Sequence, residues 1–178
     1  MIIRLGVPTD AAALAELAAR TFRDTFAADS RPEDIAQHMA QAYGSLQQGR
    51  ELADANIVTL LAQRGEELAG YAQLRFGPAP TCVEGNAPIE LWRFYVAQRW
   101  HGQGIAQALM CRVDEDADRV GTRTLWLGVW ERNERAKAFY RKGGFVDVGA
   151  HVFMVGTDAQ TDRIMARPVA AVVSDTPK

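Results

Sequence analysis

The segment Arg99–Gly104, with the sequence RWHGQG, has the residue types of a turn that holds an anionic group. Glycines at Gly102 and Gly104 allow the backbone to close tightly, so that successive N–H groups point at one ligand. An apolar helical pattern begins directly after Gly104, and a helix N-terminus carries partial positive charge that favours a pyrophosphate. A pair of glycines is by itself more often an ordinary tight turn, and this alternative stays open.

Two common phosphate motifs do not fit this turn. A P-loop requires Lys and then Ser or Thr after its last glycine, whereas this chain has Ile105 and Ala106. A dinucleotide fingerprint requires glycine or alanine at the position of Gln107, near the first strand–helix–strand unit. The meaning of the turn therefore depends on the elements around it.

Apolar periodicity predicts the elements that position the turn. Strand patterns cover Met1–Gly6, Asn56–Ala62, Leu68–Phe76, Ile89–Ala97 and Thr124–Trp130. Two or three more strands are expected from the segments Phe145–Val148, His151–Val155 and Arg163–Val169. Helical spacing predicts four helices, whose apolar stripes begin at Leu14, Ile35, Ile105 and Ala136, the second one running on to Leu46. The order is β-α-α-β-β-β-α-β-α-β-β, and the strands before and after the third helix form an expected parallel pair. The fold class is therefore α/β or α+β, with a mixed, mostly antiparallel sheet of six to seven strands flanked by about four helices.

Three signals predict where the first two helices begin. Thr9 or Asp10 is expected to cap the first helix. Ser30 and Glu33 have capping-box spacing before the second helix, with Pro32 in its first turn.

Composition excludes several classes of protein. The chain has 178 residues with 20 basic and 22 acidic side chains, a balance that argues against nucleic-acid binding. No apolar run is long enough for a membrane span, and three His with two distant Cys give no metal-ligand spacing. Cys82 and Cys111 cannot form a disulfide framework, which favours a reducing, cytoplasmic location. We expect one domain over residues 1–170 and a frayed tail over 171–178.

The combination of these patterns resembles a known superfamily. A strand ending at Val96, the Arg-x-x-Gly-x-Gly turn, a further strand and a helix with an Asn…Tyr spacing are similar to GCN5-related N-acetyltransferases (GNAT). The segments LWLGVWERNERAKAFYRKGGF and GAHVFMVGTDAQTDRIMA resemble the bacterial PaiA-type spermidine/spermine acetyltransferases. The resemblance covers almost the whole chain and implies the GNAT fold.

The resemblance implies acetyl-CoA as co-substrate and assigns residues to it. The main chain of Tyr95 and Val96 would pair with the pantetheine arm, with an N–H near Val96 polarising the thioester carbonyl. Asn133 and Lys142 would contact coenzyme A, while Tyr140 would give a proton to the departing thiolate. The N–H groups expected to hold the pyrophosphate are those of His101, Gly102, Gln103, Gly104, Ile105 and Ala106. From the residues alone, Val96 is equally a core residue, Asn133 a helix cap and Tyr140 an aromatic packed beside Phe139.

The proton acceptor for the amine has two candidates in the sequence. Many relatives use a Glu on the fourth strand, here Glu90, but a second Glu is replaced by Trp92. Strand alternation predicts that Glu90, Trp92, Phe94 and Val96 share one face, so Glu90 would lie on a largely aromatic side, where burial raises a carboxyl pKa. Glu131 is the alternative base, and Glu90 is equally a surface charge at a strand end.

The acceptor expected from the resemblance is a small-molecule amine, with spermidine or spermine first. Acidic residues around the connection between the first two helices, among them Asp34, would attract a polycation, although helix dipoles also favour them there. The residues assigned to acceptor binding are Asp24, Asp29, Glu33, Trp92 and Glu131. Other amines (a protein N-terminus or lysine, an amino acid, an antibiotic), a non-catalytic acyl-CoA sensor and a homodimer remain open.

Overall fold

The computed structural model describes residues 1–169, and the tail expected at 171–178 lies outside the described residues. The strands are β1 (Ile2–Leu5), β2 (Ile57–Arg64), β3 (Glu67–Arg75), β4 (Pro88–Val96), β5 (Thr124–Trp130), β6 (Val146–Val155) and β7 (Asp158–Pro168). The helices are α1 (Ala11–Phe26), α2 (Pro32–Ala42), α3 (Ser45–Ala53), α4 (Ile105–Arg119) and α5 (Glu134–Lys142).

All seven strands form one sheet in the order β1-β2-β3-β4-β5-β7-β6. Neighbouring strands are antiparallel except β4 and β5, which are parallel and joined by α4. The expected mixed, mostly antiparallel sheet is confirmed. The parallel pairing covers only three residue pairs, from Pro88–Thr124 to Glu90–Trp126, and beyond them β4 and β5 diverge.

Helices cover both faces of the sheet and produce two separate cores. On one face, Ile105, Leu109 and Val113 of α4 pack with strand residues such as Leu74 and Leu125. On the other face, α1 and α2 pack aromatic and aliphatic side chains against a different set of strand residues. The sheet therefore separates two environments that meet where β4 and β5 part.

An extra residue in β4 changes the face of every residue that follows it. Leu74 pairs with Leu91, and Gln73 pairs with Arg93, so Trp92 forms a β-bulge without a partner on β3. Phe94 and Val96 consequently lie with Leu91 in the α4 core, whereas Tyr95 lies in the α1–α2 core. The prediction that Glu90, Trp92, Phe94 and Val96 share a face is wrong, because strict alternation fails at a bulge.

The second predicted helix is two helices. The chain leaves the helix at Tyr43, is extended at Gly44, and begins α3 at Ser45, which leaves Leu46 exposed instead of on a buried stripe. The side chain of Gln48 donates to the carbonyl of Ala42 and stabilises this break. A period-3.6 pattern continues across such a kink and does not reveal it.

The expected caps are present in position but not in bonding. Pro32 does begin α2, but Arg31 is the capping residue and Ser30 accepts a hydrogen bond from Gln160. Asp10 precedes α1, and its carboxylate accepts from Arg4 at 2.7 and 2.8 Å instead of capping the helix. The Asp10 carboxylate also accepts the N–H of Val7, so it caps the short 3-10 turn Pro8–Asp10 that precedes α1, and its bonds to Arg4 are charge-assisted.

The strands predicted at Phe145–Val148 and His151–Val155 are one strand, β6. A bulge between Asp147 and Gly149 bends it while pairing with β7 continues on both sides. A Cβ at Gly149 would lie 2.8 Å from Sγ of Cys82, so a glycine is required at this close approach. The interruption in the apolar pattern is a bend, not a turn.

Leu109→Ala tests how firmly α4 is fixed to the sheet. Leu109 is completely buried, so truncation should lower the free energy of unfolding by about 2–5 kcal/mol through lost burial and the cavity left behind. Urea unfolding followed by circular dichroism measures this change. The control Leu46→Ala, at a side chain 70% exposed, should change it by less than about 0.5 kcal/mol. Equal effects would contradict the packing of α4 described above.

Candidate active site

A cleft of about 1060 Å³ opens where β4 and β5 diverge. Its walls are the ends of these two strands, α1 and α2 on one side, and the Arg99–Gly104 turn with the starts of α4 and α5 on the other. It takes in most residues predicted for function: Asp24, Glu90, Trp92, Tyr95, Val96, His101, Gly102, Gly104, Ile105, Ala106, Asn133 and Tyr140. Outside its lining lie Gln103, Lys142, Asp29, Glu33 and Glu131.

The divergence leaves main-chain groups of β4 without a strand partner. Ala97 donates its N–H to Ala69, which fixes the ladder so that Ala97 and Tyr95 bond toward β3. Phe94 and Val96 then direct their N–H and C=O groups toward the gap. The ladder therefore uses the main-chain groups of Tyr95, whereas those of Phe94 have no partner on β3.

The glycine-rich turn has an open, left-handed backbone. Gly102 and Gly104 have φ of 76° and 79°, and no atom lies within 4 Å of where a Cβ would be on either residue. Gly104 is the N-cap of α4, a helix of 15 residues, so the first free N–H groups of this helix face the cleft. This arrangement suits a diphosphate. Gln103 is turned away, since its Oε1 accepts from Arg64 of β2 at 2.5 Å.

His101 connects the turn to the end of β4. Its Nε2 donates to the carbonyl of Val96 at 2.8 Å, and its Nδ1 accepts from Arg135 at 2.7 Å. His101 is thus a structural link between the turn and β4, and it leaves the Val96 N–H as the free group of that residue.

Tyr140 and Asn133 of the α5 region line the cleft from the α4 side. The ring of Tyr140 packs edge-on against Phe94, Phe139 and Phe145, and burial raises the pKa of its phenol well above the ordinary value. The hydroxyl therefore stays protonated and acts as a donor. Asn133 caps α5 by accepting from the N–H of Ala136 at 3.0 Å, so its bonding as a helix cap is clear. Lys142 is exposed at the far end of α5.

Glu90 is held by an arginine. Arg75 donates to its Oε2 through Nε at 2.8 Å and Nη2 at 2.6 Å, and the same guanidinium lies 4.2 Å from the ring centre of Trp92. The neighbourhood of Glu90 is thus cationic as well as aromatic.

A buried ion pair lies behind the cleft and was not anticipated from the sequence. Arg93 contacts both carboxylate oxygens of Glu51 and donates to Oε1 of Gln73 at 2.7 Å. Both charged side chains are more than 90% buried, and the Arg93 guanidinium also lies 3.7 Å from the ring centre of Trp92. The network joins α3 to β3 and β4. A charged residue in the middle of an apolar strand was the one available signal.

The α1–α2 side of the cleft is lined by aromatic rings. Phe22 stacks on His38 and Phe26 packs on Trp130, with ring centres 4.5 and 5.3 Å apart. Burial, with the positive charge of Arg93, lowers the pKa of His38. The other aromatic residues of this wall are Tyr43 and Phe153.

Only part of the predicted acidic cluster faces this wall. Asp24 lines the cleft. Asp34 is buried elsewhere, and its pKa is lowered by hydrogen bonds from the N–H and hydroxyl of Thr157 and from Arg31. Its role is therefore to fasten α2 to the β6–β7 turn.

Two further titratable residues in the cleft were not among the predicted site residues. His151 of β6 and Asp162 of β7 are paired across the two strands, with Nε2 and Oδ2 3.8 Å apart. Both belong to the segment GAHVFMVGTDAQTDRIMA, which carries part of the family resemblance but in which no site residue was predicted from the sequence.

Comparison with known proteins agrees with this geometry. The sequence profile of the acetyltransferase (GNAT) family matches residues 12–145, and the chain belongs to this family. It is 32% identical over 147 residues to an uncharacterized N-acetyltransferase encoded in the pepI 3' region of Lactobacillus delbrueckii subsp. lactis, covering 83% of this chain and 85% of that protein. It is 35% identical over 159 residues to an uncharacterized N-acetyltransferase of Mycobacterium bovis, covering 89% and 97% of the two chains. Acetyl transfer is the activity that this family membership supports.

A solved structure shows the same fold. The PaiA N-acetyltransferase of Thermoplasma acidophilum, determined in complex with coenzyme A, superposes with a TM-score of 0.73 at 22% identity and covers 94% of this chain and 99% of its own. Within residues 1–169, no helix has the length and apolar character that crossing a bilayer requires. The same part of the chain contains no group of three His, Cys, Asp or Glu side chains arranged to hold a metal ion.

Glu51→Ala tests the buried ion pair. Removal of Glu51 leaves Arg93 charged and uncompensated, so the free energy of unfolding should fall by about 3–5 kcal/mol in urea titrations. Glu16→Ala, at an exposed position of α1, is the matched control and should change it by less than about 0.5 kcal/mol. The double variant Glu51→Leu with Arg93→Met should recover most of the loss, since no charge is then buried alone. No recovery would show that the pair contributes more than charge compensation.

Proposed function

We propose that this protein transfers the acetyl group of acetyl-CoA to a primary amine by direct attack in a ternary complex, with a polyamine such as spermidine or spermine as acceptor. Residues 1–170 form the catalytic domain in this proposal, and the free thiols of Cys82 and Cys111 favour action in the cytoplasm. The observation that carries the proposal is the gap between β4 and β5, which places free main-chain groups next to the N-terminus of α4.

The residues of the cleft fit coenzyme A. The open backbone at Gly102 and Gly104 and the N–H groups of Ile105 and Ala106 suit its diphosphate. Phe94 and the Val96 N–H present the edge along which an amide-containing arm adds like a strand. Arg135, held against His101 at the rim, supplies positive charge near the same place. The likeness in fold to an enzyme determined with coenzyme A supports the assignment.

Acetyl-CoA supplies an acyl group already activated as a thioester. The N–H near Val96 would stabilise negative charge on the carbonyl oxygen, as an oxyanion hole does. The protonated phenol of Tyr140 donates to the sulfur, so that the departing thiolate does not leave as a bare anion. A covalent acyl-enzyme is not part of the proposal, because Cys82 and Cys111 do not line the cleft.

The acceptor side suits a cationic, partly aliphatic amine. Aromatic rings of Trp130, Tyr43 and Phe26 offer faces to an ammonium group or a methylene chain, and Asp24 adds negative charge. Asp29, Glu33 and Glu131 lie outside the lining, so the attraction of a polycation depends on fewer carboxylates than the sequence predicted. An amine panel therefore decides the acceptor.

Release of free thiol from acetyl-CoA, measured with spermidine, spermine, aminoglycosides and short peptides, tests the proposed activity. Turnover with the polyamines should exceed turnover with the other amines. Turnover only with another acceptor would overturn the polyamine assignment and leave acetyl transfer standing. Binding of acetyl-CoA without turnover on any amine would indicate a sensor instead of an enzyme.

Tyr140→Phe should lower kcat about 100-fold, because the variant keeps the ring but loses the proton donor to sulfur. The affinity for acetyl-CoA, measured by isothermal titration calorimetry, should change little. Tyr71→Phe removes the same group from a fully buried tyrosine that does not line the cleft, and it should keep wild-type kcat. Unchanged turnover in Tyr140→Phe would remove Tyr140 from the mechanism.

Gly102→Asp should weaken coenzyme A binding at least about tenfold in the same calorimetric measurement, through backbone strain at φ 76° and repulsion of the diphosphate. Gly102→Ala carries the strain without the charge, so the difference between the two variants isolates the electrostatic part. If Gly102→Asp binds coenzyme A as well as Gly102→Ala, the turn does not hold the diphosphate.

A further inference from the structure

A carboxylate and an imidazole meet on the α1–α2 side of the cleft. Asp162 and His151 are register partners on β7 and β6, and Oδ2 lies 3.8 Å from Nε2. The side chains are 13% and 38% exposed, and both line the cleft. This pair is therefore accessible to a molecule bound there, although most of the carboxylate is shielded from bulk water.

The absence of a side chain at Gly128 makes room for the pair. A Cβ on this β5 residue would lie 3.2 Å from Oδ2 of Asp162 and 3.3 Å from Nε2 of His151. Even an alanine would push both groups by a few tenths of an ångström. The polar atoms occupy the space that a side chain from β5 would otherwise fill at the cleft wall.

One oxygen of Asp162 has no partner. Its Oδ1 is buried and makes no hydrogen bond within residues 1–169. Buried polar atoms are almost always bonded in folded proteins, so an exception requires an explanation. No donor from the described residues competes for Oδ1, and the Asp162 side chain lines the cleft with 13% of its surface exposed.

Asp162 and Tyr140 lie on opposite faces of the sheet. Tyr140 is part of the core formed by α4 and α5, whereas Trp130, the register partner of Asp162 on β5, packs in the core formed by α1 and α2. The gap between β4 and β5 connects the two faces. An amine bound against the aromatic wall would therefore have Asp162 on its own side and the proton donor for sulfur on the other.

Three other groups are less suitable as proton acceptors. Oε2 of Glu90 is already bonded by two donors of Arg75. Glu131 is exposed and does not line the cleft. His38 stacks on Phe22 near Arg93, whose charge opposes formation of an imidazolium. Asp162 has a free oxygen and a neighbour that can stabilise its charge.

We infer that Asp162 is the general base that deprotonates the acceptor amine, with His151 as the residue that positions its carboxylate. The inference rests on the proposed acetyl transfer and names a catalytic residue for it. One ammonium proton moves to Asp162, and the amine lone pair then forms the C–N bond while the C–S bond breaks. The sulfur gains a proton from Tyr140, and the second proton that the nitrogen loses as the amide forms restores the phenol through solvent. The proton held by Asp162 is released to solvent, so one net proton leaves per turnover.

The electrostatic setting agrees with this role. Burial raises the pKa of Asp162 to about 6, and the neighbouring His151 opposes the rise. A carboxylate with this pKa is ionised at neutral pH and is a stronger base than an ordinary aspartate.

From β5, the groups next to Asp162 are Gly128 and Trp130, which carry no charge. The other charged or titratable side chains around the cleft are Asp24, His38, Tyr43, Arg75, Glu90, Arg93, Tyr95, His101, Arg132, Glu134, Arg135 and Tyr140.

Asp162→Asn is the first test. It should lower kcat/KM at least about 100-fold for the amine that wild type uses and leave the affinity for acetyl-CoA unchanged. In the plot of kcat/KM against pH, the limb that rises near pH 6 in wild type should be absent. Asp147→Asn is the matched control, since Asp147 lies on β6 outside the cleft and bonds Arg163. It should keep wild-type turnover. A pH limb that persists in Asp162→Asn would overturn the inference.

His151→Gln separates the two residues of the pair. Because His151 lowers the pKa of Asp162, its removal should move the limb to higher pH without abolishing turnover. The same shift should be visible without any substrate, as a change in the side-chain carboxyl ¹³C resonance of Asp162 followed by NMR. A limb that disappears in His151→Gln would assign the base to His151 and overturn the role of Asp162.

Thermal unfolding provides a readout that does not depend on activity. Burial disfavours the ionised carboxylate of Asp162 in the folded protein. As pH rises from about 4 to about 6, the free energy of unfolding of wild type should therefore fall relative to that of Asp162→Asn. Above about pH 6 the difference between the two proteins should stay constant. Absence of this pH dependence would contradict the buried, raised-pKa carboxylate. Wild-type protein that binds acetyl-CoA but releases no thiol with any amine would instead overturn the proposed function, and the inference with it.

Discussion

The early end of the parallel pairing between β4 and β5 is the constraint on which the rest of the site depends. Three residue pairs hold the strands together, and the bulge at Trp92 then turns β4 away. Main-chain groups that lose a strand partner must find another, and His101 takes the carbonyl of Val96. The groups that remain free face a cleft. The same local break in the sheet thus creates both the cavity and the polar edge inside it.

The break also joins two environments that the sheet otherwise keeps apart. The α4 side contributes an open glycine turn, a helix N-terminus and a phenol that burial keeps protonated. The α1–α2 side contributes aromatic rings and carboxylates. The opening thus joins a side suited to phosphate with a side of mixed charge, where carboxylates lie near Arg75 and Arg93.

Charged side chains that take no part in the proposed reaction hold the elements around this opening in place. The Glu51–Arg93–Gln73 network fixes α3 against the strands, and the Asp34–Thr157 contacts fix α2 to the β6–β7 turn. Acidic residues that look suited to substrate binding in the sequence include one with a purely structural role, as Asp34 shows. The composition of a segment does not distinguish these uses, because both require the same side chains.

Local patterns in the chain account for most of the architecture. Apolar periodicity located all seven strands and α1, α4 and α5, because alternation and helical spacing reflect burial on one face of each element. The turn at Arg99–Gly104 was evident from its glycines, since positive φ strongly favours this residue. Errors arose where geometry changes without a strong local signal, at the kink before α3 and at the bulges in β4 and β6. Contacts between distant segments could not be found in this way: Arg75 with Glu90, Glu51 with Arg93, and His151 with Asp162 beside Gly128. Such pairs form only when strands and helices pack. A bulge of one residue changes the face on which the following side chains lie, and so decides which of them come into contact.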